Sequence, residues 1–385
     1  MRVNIDYDRG RAVVGALIEL WRNRSYPFDR AVLPQQLIPP SIRGDKLTLA
    51  LFYFYACLLM RGGIESETAF RQLFKIHERF PDLFVPEKAQ HVSHSDLVGV
   101  VGEHIGWDKK AISAFWIENS KRLVEAWGGN PLTVFRGVTT YEEAVNRTRN
   151  KKRKGDPPPS DLFFHAGFVG FQHKMTSMLL YFFEYEGLLP TNFHYPPPVD
   201  FHHCRLFLAH RILVVKGGNP GYVRYEERIT SPIRSFLSWY IKNHDATTLE
   251  LSDTLWLYSK LMCGEAPGNT TKSPKKAGVN SPGETPRFQL PLTHHFDNAE
   301  WARTKTKSFL STCGVCSVRE TCTFSIPARP YFAQGKFVLT PRARNGISVL
   351  PGNYILKNGD GGADGSAAIT EKTQLALFGR QPDDC

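Results

Sequence analysis

The sequence predicts an all-α fold, and three observations carry that expectation. Apolar residues recur at spacings of three and four through most of the chain as far as Cys263. Strand signal is slight before residue 330. The longest apolar run, 47–60, holds no charge in 14 residues, which is too short to cross a bilayer and reads as a buried core helix.

In order along the chain, residues 11–22 have helical spacing of apolar groups, and Pro34, Pro39 and Pro40 then separate them from the 47–60 helix. Further amphipathic patterns cover 67–80, 95–105 and 108–127; Asp108 stands where an N-cap belongs, and Gly128-Gly129 end the last helix. Residues 150–160 form a basic, proline-containing linker. Its four successive cations, Lys151, Lys152, Arg153 and Lys154, suit either a phosphate backbone or a solvated loop. Helical patterning resumes at Asp161 and runs to about Glu186, breaks at the Pro-rich stretch 190–198, and returns over 199–215 and 229–243. Residues 264–290 read as a mobile insertion rich in Gly, Pro, Ser, Thr and Lys. Beyond Pro327 the segments 336–340 and 347–350 read as short strands, and 358–365 as a glycine-rich flexible stretch. There is no internal repeat.

The chain has 385 residues, enough for two domains, and 42% apolar residues supply a core. The formal net charge of +11 points to a polyanionic partner, usually nucleic acid, or else to surplus surface lysine. Met1–Asp6 contains no apolar h-region, so no secretory signal is expected and the cytoplasm is the expected compartment, with nucleoid association if the source is bacterial. Structural disulfides are rare in that setting, so clustered cysteines more readily bind metal. Of the seven cysteines, Cys263 ends a helical pattern, and Cys313, Cys316 and Cys322 read Cys-x2-Cys-x5-Cys. Cys57 lies in the apolar run and reads as packing; Cys204 and Cys385 suggest no partner.

Two short motifs precede the cysteines. Residues 161–180 read as helix, tight glycine turn, helix, with Gly170 at the turn and Gln172, His173 and Lys174 opening the second helix. Amides pointing out of such a turn suit a DNA phosphate. After the Pro-rich stretch comes Val199-Asp200-Phe201-His202, with Arg205 three residues on.

In these motifs the sequence resembles the helix-hairpin-helix DNA glycosylase superfamily, especially its endonuclease III branch. That branch has Leu-Pro-Gly-Val-Gly-Arg-Lys-Thr-Ala where this chain has Phe168-Val169-Gly170-Phe171-Gln172-His173-Lys174-Met175-Thr176. Gly170 keeps the first hairpin glycine, Gln172 replaces the second, Val169 replaces the proline, and Lys174 falls on the family's catalytic lysine. The family's Val-Asp-x-His corresponds to Val199–His202, which puts Asp200 on its catalytic aspartate. Lys174 and Asp200 stand 26 residues apart, further than the family shows, and the 188–198 segment accounts for the excess as an insertion. Ile105-Gly106-Trp107-Asp108-Lys109-Lys110-Ala111 is similar to a further family segment, and 60–66 falls where the family has a loop that enters the duplex. The family's Cys-x6-Cys-x2-Cys-x5-Cys is matched by Cys313, Cys316 and Cys322; Cys263 takes the first place across a gap of 49 residues. The resemblance covers roughly residues 10–325.

It implies a two-lobed helical glycosylase fold. Residues 1–44 would supply an N-terminal helix on the cluster lobe, 45–187 a lobe with the hairpin, 188–325 the second lobe with the cysteine loop, and 326–385 a partly flexible extension. It implies a monomer that flips a damaged or modified base from duplex DNA and cuts its N-glycosidic bond. Lys174 would attack C1′ and form a Schiff base, which adds lyase activity, and Asp200 would stabilise the oxocarbenium-like charge. Gly170, Gln172, His173 and Arg205 would contact DNA. Arg61, Ile64 or Glu65 would fill the gap left by the base, while Trp107, Phe171 and Phe201 would stack on it or belong to the core. The four cysteines would hold a 4Fe–4S cluster, with structural zinc the alternative.

Three other readings remain open on the sequence. One is a monofunctional glycosylase in which Asp200 activates water. Another is a non-catalytic protein that binds DNA structure. The third is a glycosidase for a free modified nucleotide or RNA, against which the hairpin and the charge both count. Oxidised pyrimidine is the family's usual substrate, whereas the 188–198 insertion and the long excursion after Cys263 suggest a bulkier, hypermodified base such as phage DNA carries.

Overall fold

The computed structural model of the chain describes residues 2–60, 64–150, 167–216, 222–224, 227–263, 289–291, 315–318, 321–322, 331–333 and 336–338. Among them the helices are α1 (Tyr7–Arg22), α2 (Pro40–Arg43), α3 (Lys46–Leu59), α4 (Ser66–Arg79), α5 (Pro86–Ala89), α6 (His94–His104), α7 (Lys109–Trp127), α8 (Tyr141–Thr148), α9 (His173–Tyr185), α10 (Phe201–Ala209), α11 (Glu227–Asn243) and α12 (Thr248–Tyr258). The strands are short: β1 (Arg2–Ile5), β2 (Leu213–Lys216), β3 (Tyr222–Arg224), β4 (Gln289–Pro291), β5 (Tyr331–Ala333) and β6 (Lys336–Val338). No helix among the described residues is long and apolar enough to cross a membrane.

The described residues fall into two compact units. One takes Val32–Pro198 with Thr247–Leu249; the other takes Met1–Ala31, Val199–Ala246 and Glu250 onward. The first is built around α3. Every residue of α3 from Leu49 to Leu59 is buried, as a helix that is apolar on all sides requires. Asp45 caps it, accepting from the Leu47 and Thr48 amides. Aromatic rings surround it: Tyr55 stacks on Trp116 at 4.4 Å, and Phe54 meets Phe168 and Phe171 at 5.0 and 5.6 Å. Those last two contacts pin the glycine turn ahead of α9 against the core.

The second unit begins with β1, which pairs antiparallel with β2, Arg2 opposite Lys216 and Ile5 opposite Leu213. α1 buries Val13, Val14, Leu17 and Ile18. Its Gly10 leaves room for the Phe236 ring of α11, which a Cβ there would meet at 2.5 Å. α12 runs into a π-helical turn, Ser259–Cys263.

Several sequence expectations change. Residues 199–215 do not form one helix: α10 stops at Ala209, Arg211 takes a left-handed φ of 53°, and β2 follows. Four of the strands lie before residue 330, where the strand signal is slight. Asp108 holds the N-cap position of α7 in a left-handed conformation, φ 43°, and makes no capping hydrogen bond with its side chain. The helical pattern from 161 is interrupted, because 167–172 are non-helical and α9 starts at His173. The first arm of the expected hairpin (161–166), the basic run 151–154, and segments 347–350 and 358–365 lie outside the described residues. β6 occupies most of the expected 336–340 strand and pairs with β5.

Candidate functional site

The turn before α9 is fixed from both sides. Gly167 and Gly170 have φ of 65° and 85°, where a side chain is strained. At Gly167 a Cβ would stand 2.0 Å from the Arg149 carbonyl oxygen, so the position admits glycine alone. The Phe168 amide donates to Thr148 O at 2.8 Å. From α7, buried Asn119 bonds Val169 twice: its Nδ2 donates to Val169 O at 3.0 Å, and its Oδ1 accepts from Val169 N at 2.6 Å. One helical turn on, Arg122 donates to Gly167 O at 2.8 Å while its Nε pairs with Glu118 at 2.7 Å. No motif announces Asn119 and Arg122. The retrospective signal is their i, i+3 spacing on the inner face of α7.

Lys174 follows in the first turn of α9. Gln172, at the N-cap, is exposed and extended; the His173 carbonyl accepts from the Tyr141 hydroxyl at 3.1 Å. The Lys174 Nζ donates to the Met60 carbonyl at 2.8 Å. Burial pushes the nearby Cys57 thiol well up, and the Lys174 charge opposes that shift. Met60 caps the C-terminus of α3, so the amine is tied to the residue from which the expected duplex-entering loop departs. Arg61 lies outside the described residues; Ile64 packs, partly buried, against the unit's core.

Asp200 belongs to the other unit, so each of the two predicted catalytic residues is described within its own. Asp200 is 7% exposed and caps α10. Its Oδ1 accepts from the His202 amide at 2.8 Å and lies 3.0 Å from His203 Nδ1. Arg205, also buried, reaches the π-helical turn: its guanidinium donates to Ser259 O and to Ser259 Oγ, and to His202 Nδ1 at 3.0 Å. Ser259 Oγ returns a bond to His202 O at 2.8 Å. The structure thus engages Arg205 inside the unit, where the sequence reading expected a DNA contact. His202 stacks obliquely on Phe201 at 4.1 Å, and its pKa is held down to about 3, chiefly by burial.

The cysteine motif is described in part. Cys263 ends the π-helical turn, and burial pushes its thiol up to about 11 while Arg205 pulls it down and Cys316 raises it. Cys316 Sγ lies 3.1 Å from the buried Tyr258 hydroxyl. Cys322 follows Thr321, whose Oγ1 is 2.8 Å from His210 Nδ1 and whose carbonyl accepts from Arg9 at 3.0 Å. Cys313 lies outside the described residues, and among those described no three His, Cys, Asp or Glu side chains gather as a metal site. The described residues bring Cys263 and Cys316 into electrostatic contact and do not close the four-thiolate set.

No protein-family model matches the chain, and no curated protein matches it. Among solved structures, a thermostable thymine-DNA glycosylase aligns over 82% of this chain and 98% of its own, at 10% identity and a TM-score of 0.39. A likeness at that level decides neither fold nor activity.

Proposed function

We propose that the chain is a DNA glycosylase with Lys174 and Asp200 as its catalytic residues. The observation that carries the reading is their placement. Lys174 stands in the first turn of α9 behind a left-handed glycine turn, and Asp200 is the buried capping carboxylate of the next helix, α10. Cleavage of an N-glycosidic bond builds positive charge on the sugar, which a low-exposure carboxylate is suited to stabilise. Lys174, once deprotonated and released from Met60 O, attacks C1′ as the base departs with the bonding electron pair. The C1′–O4′ bond of the resulting aminal then breaks as O4′ takes a proton, and the Schiff base so formed permits loss of a C2′ proton and of the 3′ phosphate by β-elimination. The substrate is a flipped base in duplex DNA, and the two extra segments favour a bulky modified one.

One observation favours a second reading. The Lys174 amine is engaged by the Met60 carbonyl at 2.8 Å; if it stays there, Asp200 activates water and the enzyme is monofunctional. We further propose that Cys263, Cys313, Cys316 and Cys322 hold a 4Fe–4S cluster that pins the loop they share. Support comes from their spacing and from the electrostatic contact of Cys263 with Cys316. Iron, sulfide and zinc analysis of the purified protein separates a cluster from structural zinc.

The test is cleavage of end-labelled duplexes carrying oxidised, deaminated, alkylated and glucosylated bases, with and without borohydride. Wild type is expected to release one class and to trap a covalent adduct; Lys174→Gln abolishes the adduct and Asp200→Asn slows release by about a hundredfold or more. Abasic product without an adduct in wild type establishes the second reading. Duplex binding with no release from any member of the panel overturns both.

A further inference from the structure

The resemblance places no demand on residue 203, yet the His203 side chain lies against the Asp200 carboxylate. It is 1% exposed and lies one turn into α10, with Nδ1 3.0 Å from Asp200 Oδ1. The same Nδ1 is 3.4 Å from the Asp200 amide. One nitrogen cannot donate to the carboxylate and accept from the amide at once. The shorter contact decides: an imidazole lone pair at 3.0 Å from a carboxylate oxygen is repelled, so Nδ1 carries the proton and the amide contact is not a hydrogen bond. His203 Nε2 is then left buried, with no hydrogen-bond partner among the described residues. An unsatisfied buried polar atom costs about 1–3 kcal/mol. Leucine or phenylalanine would fill this space without that cost, so packing alone does not account for a histidine here.

We propose that His203 is a positioning residue for Asp200. Its Nδ1–H, together with the His202 amide at 2.8 Å, fixes the plane of the carboxylate at the point where sugar charge develops. The two contacts approach the same oxygen from backbone and side chain, so the carboxylate cannot rotate about its Cβ–Cγ bond without losing both. His203 makes no contact with substrate in this scheme; it acts through Asp200. The inference rests on the glycosylase reading, since it assigns Asp200's support and not a separate activity.

Two variants and one spectroscopic measurement test it. His203→Leu removes the donor and keeps the bulk, whereas His203→Asn restores an N–H near the Nδ1 position. On the base that wild type releases, His203→Leu is expected to lower the single-turnover rate by about tenfold to a hundredfold, with duplex affinity unchanged, and His203→Asn to recover most of the loss. Nitrogen-15 NMR of the histidine side chains is expected to show His203 protonated at Nδ1, with a resonance that shifts in Asp200→Asn. A normal rate in His203→Leu, equal losses in the Leu and Asn variants, or a proton on Nε2 alone overturns the positioning role while the glycosylase reading stands. Wild type that releases no base overturns that reading and this role together. If His203→Leu fails to fold, the NMR result and the Asn variant still decide.

Discussion

Two histidines, His202 half-buried and His210 buried, make a pH prediction that is independent of catalysis. His202 Nδ1 sits 3.0 Å from Arg205 Nη2, and an arginine can only donate, so that nitrogen must be unprotonated. Thr321 gives its one hydroxyl proton to Val318 O at 2.8 Å and therefore accepts at 2.8 Å from His210 Nδ1–H. Burial, the largest cause in both, holds each pKa down to about 3 from the ordinary 6.5. As pH falls the unfolded chain takes up protons first, so their contribution to stability is complete above about 6.5 and is lost progressively toward 3. The urea midpoint of wild type should fall between about pH 7 and 4, and more steeply than that of a His202→Asn, His210→Asn double variant, which keeps an acceptor and a donor in the two places. Parallel curves for the two proteins would refute the assignment.

At the scale of the element, the glycine turn before α9 depends on α7. Asn119 satisfies both the amide and the carbonyl of Val169, so Asn119→Leu leaves two backbone groups without their partner in an apolar setting. The expected cost is about 2–4 kcal/mol, read as a lower urea midpoint, and duplex binding should weaken more than the stability loss alone dictates because the turn loses its shape. Unchanged stability would show that the turn holds itself. The contrast with α3 explains what the sequence makes legible. An uncharged run buried on every side announces a core helix whatever surrounds it, and Lys174 and Asp200 stand at helix starts that local motifs mark. β1 and β2 do not announce themselves: Leu213-Val214-Val215-Lys216 continues an apolar pattern after α10, and only pairing with residues 2–5 makes it a strand. The hold on Lys174 is likewise hidden, because its partner is the Met60 backbone carbonyl, a group every residue carries. Asp108 shows the intermediate case, a position readable from its residue type and a left-handed conformation that is not.

At the scale of the whole molecule, the chain order and the unit order differ: Met1–Ala31 belong with Val199–Ala246 and the residues from Glu250, so the N-terminal strand and helix are structural parts of that unit. Net charge is the other property that belongs to no single element. A surplus of +11 attracts any polyanion, but a site that tracks a duplex backbone releases counterions in proportion to the phosphates it neutralises, about 0.9 in log–log salt slope for each. Lys151, Lys152, Arg153 and Lys154 offer the densest run of cations in the sequence and make the two meanings of that surplus separable. If they lie along phosphates, replacing all four by serine lowers the slope for a 20–30 base-pair duplex by about 3–4 and weakens binding alike for modified and unmodified DNA, since phosphate contacts carry no sequence information. If they only solvate a loop, the slope stays within about 1 of wild type, because the remaining cations do the neutralising. Fluorescence anisotropy across a salt series measures this directly. It also bears on the free-nucleotide alternative: a glycosidase for a single nucleotide meets one or a few phosphates, so a wild-type slope near 1 would favour that substrate, and a slope of several would tie the charge to duplex DNA.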